Sequence, residues 1–126
     1  MYGELKKYER AIQDYDQAIE LDPDFAFAYN NRGNAYDDLG HHERAIQDYD
    51  KAIELDPDYV SAHNNRGVAY KNLEQYERAI RNYSKAIELD PDYVNAHNNR
   101  GFAYPALGKT VEADFKKYEE LTGQKP

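Results

Sequence analysis

Residues 26–58 read AFAYNNRGNAYDDLGHHERAIQDYDKAIELDPD, and this stretch decides the fold because the chain repeats it. Residues 60–92 read VSAHNNRGVAYKNLEQYERAIRNYSKAIELDPD, and a third copy opens at residue 94 as VNAHNNRGFAYPALGK before it diverges. The Asp-Pro-Asp triplets that begin at Asp22, Asp56 and Asp90 mark a constant period of thirty-four residues. A fixed period of this length is typical of a repeat array, in which stacked units bury a shared core.

Each period predicts two amphipathic helices. In the first helix, Tyr29, Gly33 and Tyr36 recur at steps of three and four residues, which places them on one face. In the second helix, Ala45 and Tyr49 begin an apolar face with the same spacing, and charged residues occupy the opposite side. The period therefore predicts a helical hairpin as the repeating unit.

The turns between these helices carry their own signals. Pro57 disfavours helix at the residue before it, so the triplet ends one helix, and Asp56 is expected to cap the next. Gly40 and Gly108 follow the first helix of their repeats, where a left-handed residue is favoured. Glu74 holds the same position in the middle repeat, where a left-handed backbone would cost about 1 kcal/mol.

The repeat pattern divides the chain into four segments. Residues 1–24 are a half repeat (the end of a first helix plus a second helix), residues 25–58 and 59–92 are full repeats, and residues 93–126 are a divergent last repeat. Pro105 lies inside the first helix of the last repeat and is predicted to kink or shorten it near Gly101. The final helix is expected to cap the array with one apolar stripe, formed by Val111, Phe115, Tyr118 and Leu121.

Composition and charge exclude several classes of function. The formal net charge is −8 at pH 7, and a field of that sign repels phosphate backbones and anionic lipid. We therefore expect neither nucleic acid nor a membrane surface as partner. The sequence contains no cysteine, which excludes disulfides and thiolate metal sites. It also contains no long apolar run, so a cytoplasmic location is expected.

The period, the helix pair and residues at fixed places in each repeat resemble the tetratricopeptide repeat. The matching residues are Gly33, Tyr36, Ala45, Tyr49, Ala52 and Pro57, repeated as Gly67, Tyr70, Ala79, Tyr83, Ala86 and Pro91. The resemblance covers essentially the whole chain. It implies an all-α, right-handed α-solenoid of about three and a half repeats and seven helices. It also implies a noncatalytic protein-interaction module that needs no cofactor.

Arginine occupies a position where the family usually has leucine. The three arginines are Arg32, Arg66 and Arg100. An unpaired buried charge is strongly unfavourable, so these side chains must reach solvent or find carboxylates. Asp14, Asp48 and glutamates nearby are plausible partners, and the sequence does not choose among them.

The family resemblance places a binding groove on the concave surface formed by the first helices, where a peptide or a partner helix binds. The residues expected there are Phe27, Asn30, Asn31, Asn34, Asp37, Asp38, Asn64, Asn65, Val68, Lys71, Asn98, Asn99 and Phe102. An asparagine amide donates and accepts hydrogen bonds at once, so a row of them can pair with a peptide main chain. Asn31, Asn65 and Asn99 resemble the asparagine ladder of the O-linked N-acetylglucosamine transferase. Alternatively, the asparagines bond between helices.

The resemblance does not extend to every peptide-binding member of the family. Members that bind chaperone tails clamp an acidic C-terminus with asparagines and with basic residues. Asn34 and Asn65 match the asparagines of that clamp, whereas Asn30, Asn95 and Asn99 stand at its basic positions. A carboxylate would lose its charge-assisted hydrogen bonds there. The sequence therefore argues against a receptor for Hsp70 or Hsp90 tails.

Two other classes of function were weighed from the sequence. The histidines are His41, His42, His63 and His97. Neither pair has the spacing of a metal site, and no nucleophile, metal set or phosphate loop indicates an enzyme. Self-association is the alternative to peptide binding, because the first complete helix would expose an apolar face to a second copy, by domain swapping or end-to-end stacking. That face consists of Tyr8, Ile12, Tyr15 and Ile19.

Overall fold

The computed structural model describes residues 2–123, except for the side chains at positions 2, 110, 111, 114, 115, 117, 118, 121 and 122. Over this range the chain forms six helices and no strand. They are α1 (Tyr2–Leu21), α2 (Ala26–Asp38), α3 (His42–Leu55), α4 (Val60–Asn72), α5 (Tyr76–Leu89) and α6 (Val94–Thr122). The predicted stripe of Val111, Phe115, Tyr118 and Leu121 lies outside the described side chains.

The helices stack in chain order as an α-solenoid, which confirms the predicted fold class. Each helix packs against the helix before it and the helix after it. In addition, α2 contacts α4 and α4 contacts α6, whereas α1, α3 and α5 make no comparable contacts with one another in the described range. The stack therefore curves with α2, α4 and α6 on the concave side. We call these three the inner helices, and α1, α3 and α5 the outer helices.

A glycine and a tyrosine form the centre of each complete hairpin. Tyr49 on α3 and Tyr83 on α5 are the largest fully buried side chains. A β-carbon built on Gly33 would lie 2.7 Å from Cε1 of Tyr49, and one on Gly67 would lie 2.5 Å from Cε1 of Tyr83. Carbon atoms in contact are normally 3.5–4.0 Å apart. Only glycine lets the inner helix approach the tyrosine ring this closely.

Small residues fill the rest of the core. The buried alanines are Ala28, Ala35, Ala45, Ala52, Ala62, Ala69, Ala79, Ala86, Ala96 and Ala103. Each of them recurs at the same place in another repeat. The apolar periodicity of the sequence therefore identifies the residues that hold neighbouring helices together.

The Asp-Pro-Asp turns differ from the prediction in one detail. The N-cap residue of α4 is Tyr59, and no side chain caps the helix. Asp56 instead accepts a hydrogen bond from the backbone N–H of Asp58 at 3.2 Å. Asp22 and Asp90 accept the same bond from Asp24 and Asp92. The expectation that Asp56 caps α4 was therefore wrong, because its carboxylate closes its own turn.

The turn between α4 and α5 contains the one left-handed residue other than glycine in the described range. Glu74 has a φ of 61°, and Gly40 at the equivalent position has a φ of 84°. The sequence left the conformation of Glu74 open, and the structure shows that it is left-handed. A left-handed backbone brings the β-carbon of an L-residue close to the following carbonyl oxygen, so Glu74 stores strain that Gly40 does not.

We expect the Glu74→Gly variant to be more stable by about 0.5–1 kcal/mol, because relief of the strain outweighs the added entropy of the unfolded glycine. Thermal unfolding followed by circular dichroism measures the change. The reciprocal variant, Gly40→Glu, should lose a similar amount, since no atom lies within 4 Å of the added β-carbon and only the backbone conformation opposes it. A lower melting temperature for Glu74→Gly would contradict this account.

The last repeat departs from the prediction. α6 continues through Pro105 and Gly108 as one helix of 29 residues. Pro105 does not shorten it, and Gly108 is not a left-handed cap. The regular hairpin needs a tyrosine and an alanine on its second helix, but Lys117 and Glu120 stand at those positions. Folding back would bury both charges, which is unfavourable, so the helix runs on.

A similar merger occurs in the first segment. α1 is a single helix from Tyr2 to Leu21, with no turn between the expected end of a first helix and the second helix. The merger in α6 accounts for six helices in place of seven, because the expected count took the first segment as one helix.

Candidate functional site

The two asparagines of a doublet, such as Asn30 and Asn31 or Asn64 and Asn65, differ in burial. Asn30 and Asn64 are buried, with exposures of 3% and 4%. Nδ2 of Asn65 donates to Oδ1 of Asn30 at 3.2 Å, and Nδ2 of Asn99 donates to Oδ1 of Asn64 at 3.1 Å. The prediction that Asn30 and Asn64 contact a peptide was therefore wrong. A buried amide needs internal partners, and these two join neighbouring inner helices.

The second member of each doublet remains on the concave side. Asn31, Asn65 and Asn99 are half-buried. Asn65 and Asn99 each use one N–H for the bond to the previous inner helix, which leaves the carbonyl oxygen and the second N–H. The predicted ladder therefore keeps its hydrogen-bonding capacity at these positions, while Asn98 is exposed.

A cavity of about 300 Å³ lies between α2 and α4 on this concave side. It is lined by Asn34, Asp37, Asp38, Tyr49, Asn65 and Val68. Except for Tyr49, all of these residues were predicted to be in the groove. The structure therefore brings residues from two successive repeats into one polar cavity.

The two aspartates of this cavity differ in their surroundings. Asp37 is paired with Nδ1 of His42 and accepts a hydrogen bond from Nδ2 of Asn72 at 3.1 Å. Asp38 forms no hydrogen bond or ion pair with any residue that the structure describes. Burial raises the pKa of Asp38, and the neighbouring Asp37 carboxylate raises it further. Asp38 thus offers an unpaired carboxylate, which a cation would stabilise.

Tyr49 fixes the orientation of the asparagine next to these carboxylates. Its hydroxyl donates to Oδ1 of Asn34 at 2.6 Å, so the Asn34 amide presents its N–H groups to the groove. Val68 replaces this asparagine in the next repeat. The hydroxyl of Tyr83 has no hydrogen-bond partner within the described range, and burial raises the pKa of Tyr83 to about 12.

Two phenylalanines of the predicted groove are exposed, one on α6 and one on α2. Phe102 on α6 has 78% of its surface exposed. It borders a cavity of about 520 Å³ whose other lining residues are Glu74, Tyr76, Pro105, Ala106 and Lys109. Phe27 on α2 is 53% exposed, and its ring stacks on that of Phe25 with the centroids 5.6 Å apart. Lys71, on α4 between the two ends, is half-buried.

The arginines of the inner helices bridge two outer helices. Nε and Nη2 of Arg32 donate to Asp48 on α3 at 2.9 and 2.7 Å, and Nη1 donates to Asp16 on α1 at 2.9 Å. These hydrogen bonds, the one to Asp48 first, raise the pKa of Arg32 despite the opposing effect of burial. The prediction of a carboxylate partner holds for Asp48. Asp14 has no partner in the described range.

The next two repeats keep this bridge in modified form. Arg66 donates from Nε to Asn82 on α5 at 2.7 Å and from Nη1 to Asp50 on α3 at 3.0 Å. Arg100 donates from Nη1 to Ser84 at 3.2 Å. The sixteen-residue spacing on either side of each arginine was the signal that sequence reasoning missed.

The histidines have structural roles or lie at the surface. Nε2 of His63 lies 2.9 Å from the carbonyl oxygen of Pro57, and His97 repeats this contact with Pro91 at 2.8 Å. Burial lowers the pKa of His63, which keeps it neutral and able to donate. Among the described residues, no three histidine or carboxylate side chains come together in a way that could hold a metal ion.

Comparison with known proteins settles the family. A model described as TPR repeat matches residues 1–40, 33–74 and 72–108. The chain belongs to the tetratricopeptide repeat family. No curated protein sequence matches it at a significant level. Over the described residues, no helix is both long and apolar enough to cross a membrane.

Solved tetratricopeptide domains share the architecture. The first such domain of Spaghetti (RPAP3), bound to the HSP90 peptide SRMEEVD, is 31% identical with a TM-score of 0.79, and the match covers 85% of each chain. The first domain of human RPAP3 is 30% identical with a TM-score of 0.83, and the match covers 88% of this chain and 87% of that one. The Arabidopsis OM64 domain is 31% identical with a TM-score of 0.74, over 78% and 81% of the two chains.

Proposed function

We propose that this tetratricopeptide chain is a noncatalytic protein-interaction module that binds a short extended peptide along its concave groove. The observation that carries the proposal is the cavity between α2 and α4, where Asn34, Asp38 and Asn65 converge. Support also comes from Spaghetti (RPAP3), a relative whose solved structure contains an HSP90 peptide. Neighbouring helix axes lie about 8–10 Å apart, so three inner helices span about 20 Å, or six extended residues.

The groove favours a peptide that is basic at the α2 end. Asp38 has no hydrogen-bond or ion-pair partner there among the described residues, and Asn34 offers N–H donors beside it. Asn65 and Asn99 supply main-chain hydrogen bonds in the middle. Phe102 provides an apolar contact at the α6 end. A lysine or arginine side chain at one end and an apolar side chain at the other match this order.

This preference is opposite to that of the family members that bind an acidic chaperone tail. Of the three positions where the clamp carries cations, Asn30 is buried, Asn95 is exposed and Asn99 is bonded to Asn64. None of these side chains carries a positive charge, so an incoming carboxylate gains no ion pair from them. The groove therefore selects against a peptide such as SRMEEVD.

Three matched peptides test this proposal by isothermal titration calorimetry. They are SRMEEVD, SRMQQVN and SRMKKVK, the last two with amidated C-termini. We expect the lysine peptide to bind most tightly, about fivefold more tightly than the glutamine peptide SRMQQVN, since one partly screened ion pair is worth about 1 kcal/mol. The acidic peptide should bind most weakly. Tightest binding of SRMEEVD would overturn the preference, and no binding of any of the three would overturn the site.

Two substitutions assign the affinity to the groove. Asp38→Asn should remove the advantage of the lysine peptide over the glutamine peptide. Asn65→Ala should weaken both of these peptides severalfold by removing main-chain hydrogen bonds. Glu54→Gln is the matched control for Asp38→Asn, because it removes the same charge from an exposed position on the outer helix α3. Equal effects of Asp38→Asn and Glu54→Gln would place binding elsewhere.

A second candidate function is self-association through the face of α1 that lies beside α2. A cavity of about 280 Å³ lies there, lined by Lys7, Tyr8, Ala11, Tyr15, Asn31, Asn34, Ala35 and Asp38. Ala45 and Tyr49, which are equivalent to Ala11 and Tyr15, have exposures of 0% and 1% because α2 covers them. The corresponding place on α1 is unoccupied by any described helix, so it suits a helix from another copy.

A further inference from the structure

The open face of α1 corresponds to the surface of α3 and α5 against which an inner helix packs in the complete hairpins. In those hairpins, Gly33 and Gly67 lie against the rings of Tyr49 and Tyr83. Tyr15 stands at the equivalent place on α1, but it is only half-buried. α1 thus has the sequence of an outer helix without a facing inner helix in the described range. By analogy with the complete hairpins, the helix that packs on this face should place a glycine opposite Tyr15.

α6 exposes the complementary face. Gly101 is equivalent to Gly33 and Gly67, yet no atom lies within 4 Å of a β-carbon built on it. Tyr104 is 54% exposed, whereas Tyr36 at the equivalent position is 9% exposed. α6 is docked on α5 through Ala96 and Ala103, both buried. Its remaining face is therefore that of an inner helix without a facing outer helix among the described residues.

The C-terminal part of α6 cannot replace the missing outer helix in the regular register. Each inner arginine faces the residue sixteen positions later: Asp48 for Arg32 and Asn82 for Arg66. For Arg100 that residue is Lys116, which is also a cation. α1, in contrast, carries Asp14 at this position, with no partner in the described range. A second copy offers Arg100 the carboxylate that its own chain does not.

The asparagine doublets show the same complementarity. Asn30 and Asn64 are buried and each accepts a bond from the next repeat. Asn98 is the equivalent acceptor on α6, but it is exposed. Asn31 is the equivalent donor on α2 and borders the open cavity of α1. If α6 of one copy lay beside α1 and α2 of another, Asn31 would donate to Asn98 as Asn65 donates to Asn30.

We propose that copies of this chain associate head to tail, with the Arg100–Gly101–Tyr104 face of α6 seated on Tyr15 and Asp14 of α1 in a second copy. The proposal rests on the second candidate function, self-association through α1, and identifies the face of α6 as the surface that contacts α1. The joint reproduces the hairpin formed by α2 and α3, so the solenoid and its concave groove continue from copy to copy. Because the two contacting surfaces differ, the assembly is open-ended and grows with protein concentration.

Steric substitution at Gly101 tests the proposal directly. Sedimentation equilibrium of the full chain should give a mass that rises above 14.7 kDa between micromolar and millimolar concentration. Gly101→Leu should hold the mass at that of the monomer, because the added side chain meets the Tyr15 ring of the second copy. Gly108→Leu is the matched control, since Gly108 is also helical with open space around it, and it should associate as the parent does. Circular dichroism should show unchanged helix content in both variants.

Charge reversal identifies the two surfaces. Asp14→Arg and Arg100→Asp should each associate at least tenfold more weakly than the parent, since like charges then face each other. An equimolar mixture of the two variants should recover association, because every mixed joint pairs opposite charges. Recovery on mixing is not expected for a contact between two α1 faces or for a domain swap.

The outcomes separate this inference from the candidate on which it rests. A strictly monomeric parent overturns both. If the parent associates and Tyr15→Asp abolishes association, but Gly101→Leu and Arg100→Asp leave it intact, then α1 is the contact surface and α6 is not its partner, which overturns the head-to-tail joint. Peptide affinity at micromolar protein concentration is measured independently of either result.

Discussion

The Gly67→Ala variant should be less stable than the parent by about 2–3 kcal/mol, although alanine is the better helix former by about 1 kcal/mol. The added β-carbon would lie 2.5 Å from Cε1 and 2.8 Å from Cδ1 of Tyr83, and 3.2 Å from the backbone oxygen of Ala79. Tyr83 is fully buried and cannot swing outward. Relief therefore requires α4 and α5 to separate, and this loses packing along the whole hairpin.

Urea unfolding of the parent and the variant measures this change. Gly101→Ala is the matched control, because it is the same substitution at the equivalent position of α6, where the added β-carbon meets nothing within 4 Å. Measured on dilute protein, the control should gain about 0.5–1 kcal/mol from helix propensity. If Gly67→Ala were as stable as Gly101→Ala, the close approach of α4 to Tyr83 would not exist.

The Asp48→Ala variant should lose about 2–3 kcal/mol. Asp48 has a side-chain exposure of 8% and accepts two hydrogen bonds from Arg32, which is itself 21% exposed. Removing one partner of a largely buried pair leaves the other charge without compensation, and this is more costly than the net value of the pair. Arg32 retains its bond to the more exposed Asp16, which limits the loss.

The repeat supplies the control for this variant. Asn82 holds the position of Asp48 in the next hairpin and accepts from Nε of Arg66 at 2.7 Å. Asp48→Asn should therefore cost only about 1 kcal/mol, since a neutral acceptor keeps one hydrogen bond to the guanidinium. Equal losses for the alanine and asparagine variants would show that the carboxylate itself, and not an acceptor at this place, stabilises α2 on α3.

The regular part of the fold could be predicted because each helix carries its own repeated signals. The apolar periodicity around Gly33 and around Tyr49 indicated two helices, and the structure packs Gly33 against the Tyr49 ring. The alignment of Glu74 with Gly40 raised the question of a left-handed backbone, which the structure shows. Where the copies share the same residues, local sequence patterns are enough to predict the hairpin, because every copy repeats the same packing.

The last repeat could not be predicted in the same way. Pro105 suggested a break, and Gly108 suggested a turn. The outcome depended on residues that follow both, since Lys116 and Lys117 remove the acceptor and the aromatic ring that a folded-back helix requires. The sequence showed that the last repeat diverges, but it did not show that the turn at Gly108 is absent.

The detail of the candidate groove could be predicted only in part. Asn34, Asp38 and Asn65, which were expected on the concave surface, line the cavity between α2 and α4. The two members of each doublet are identical in the sequence, and only three-dimensional packing shows that Asn64 is buried while Asn65 faces the groove. The arginine bridges were missed in part because Asp16 and Asp50 belong to the preceding outer helix.

The two asparagine–asparagine bonds that the described residues form between neighbouring inner helices run from a later repeat to an earlier one, from Asn65 to Asn30 and from Asn99 to Asn64. Each copy of the unit thus brings one donor for its predecessor and one acceptor for its successor. An in-frame duplication of residues 59–92 would lengthen the array and leave no internal amide unsatisfied. This array can therefore be lengthened by whole units while every new inner helix keeps a donor and an acceptor for its neighbours.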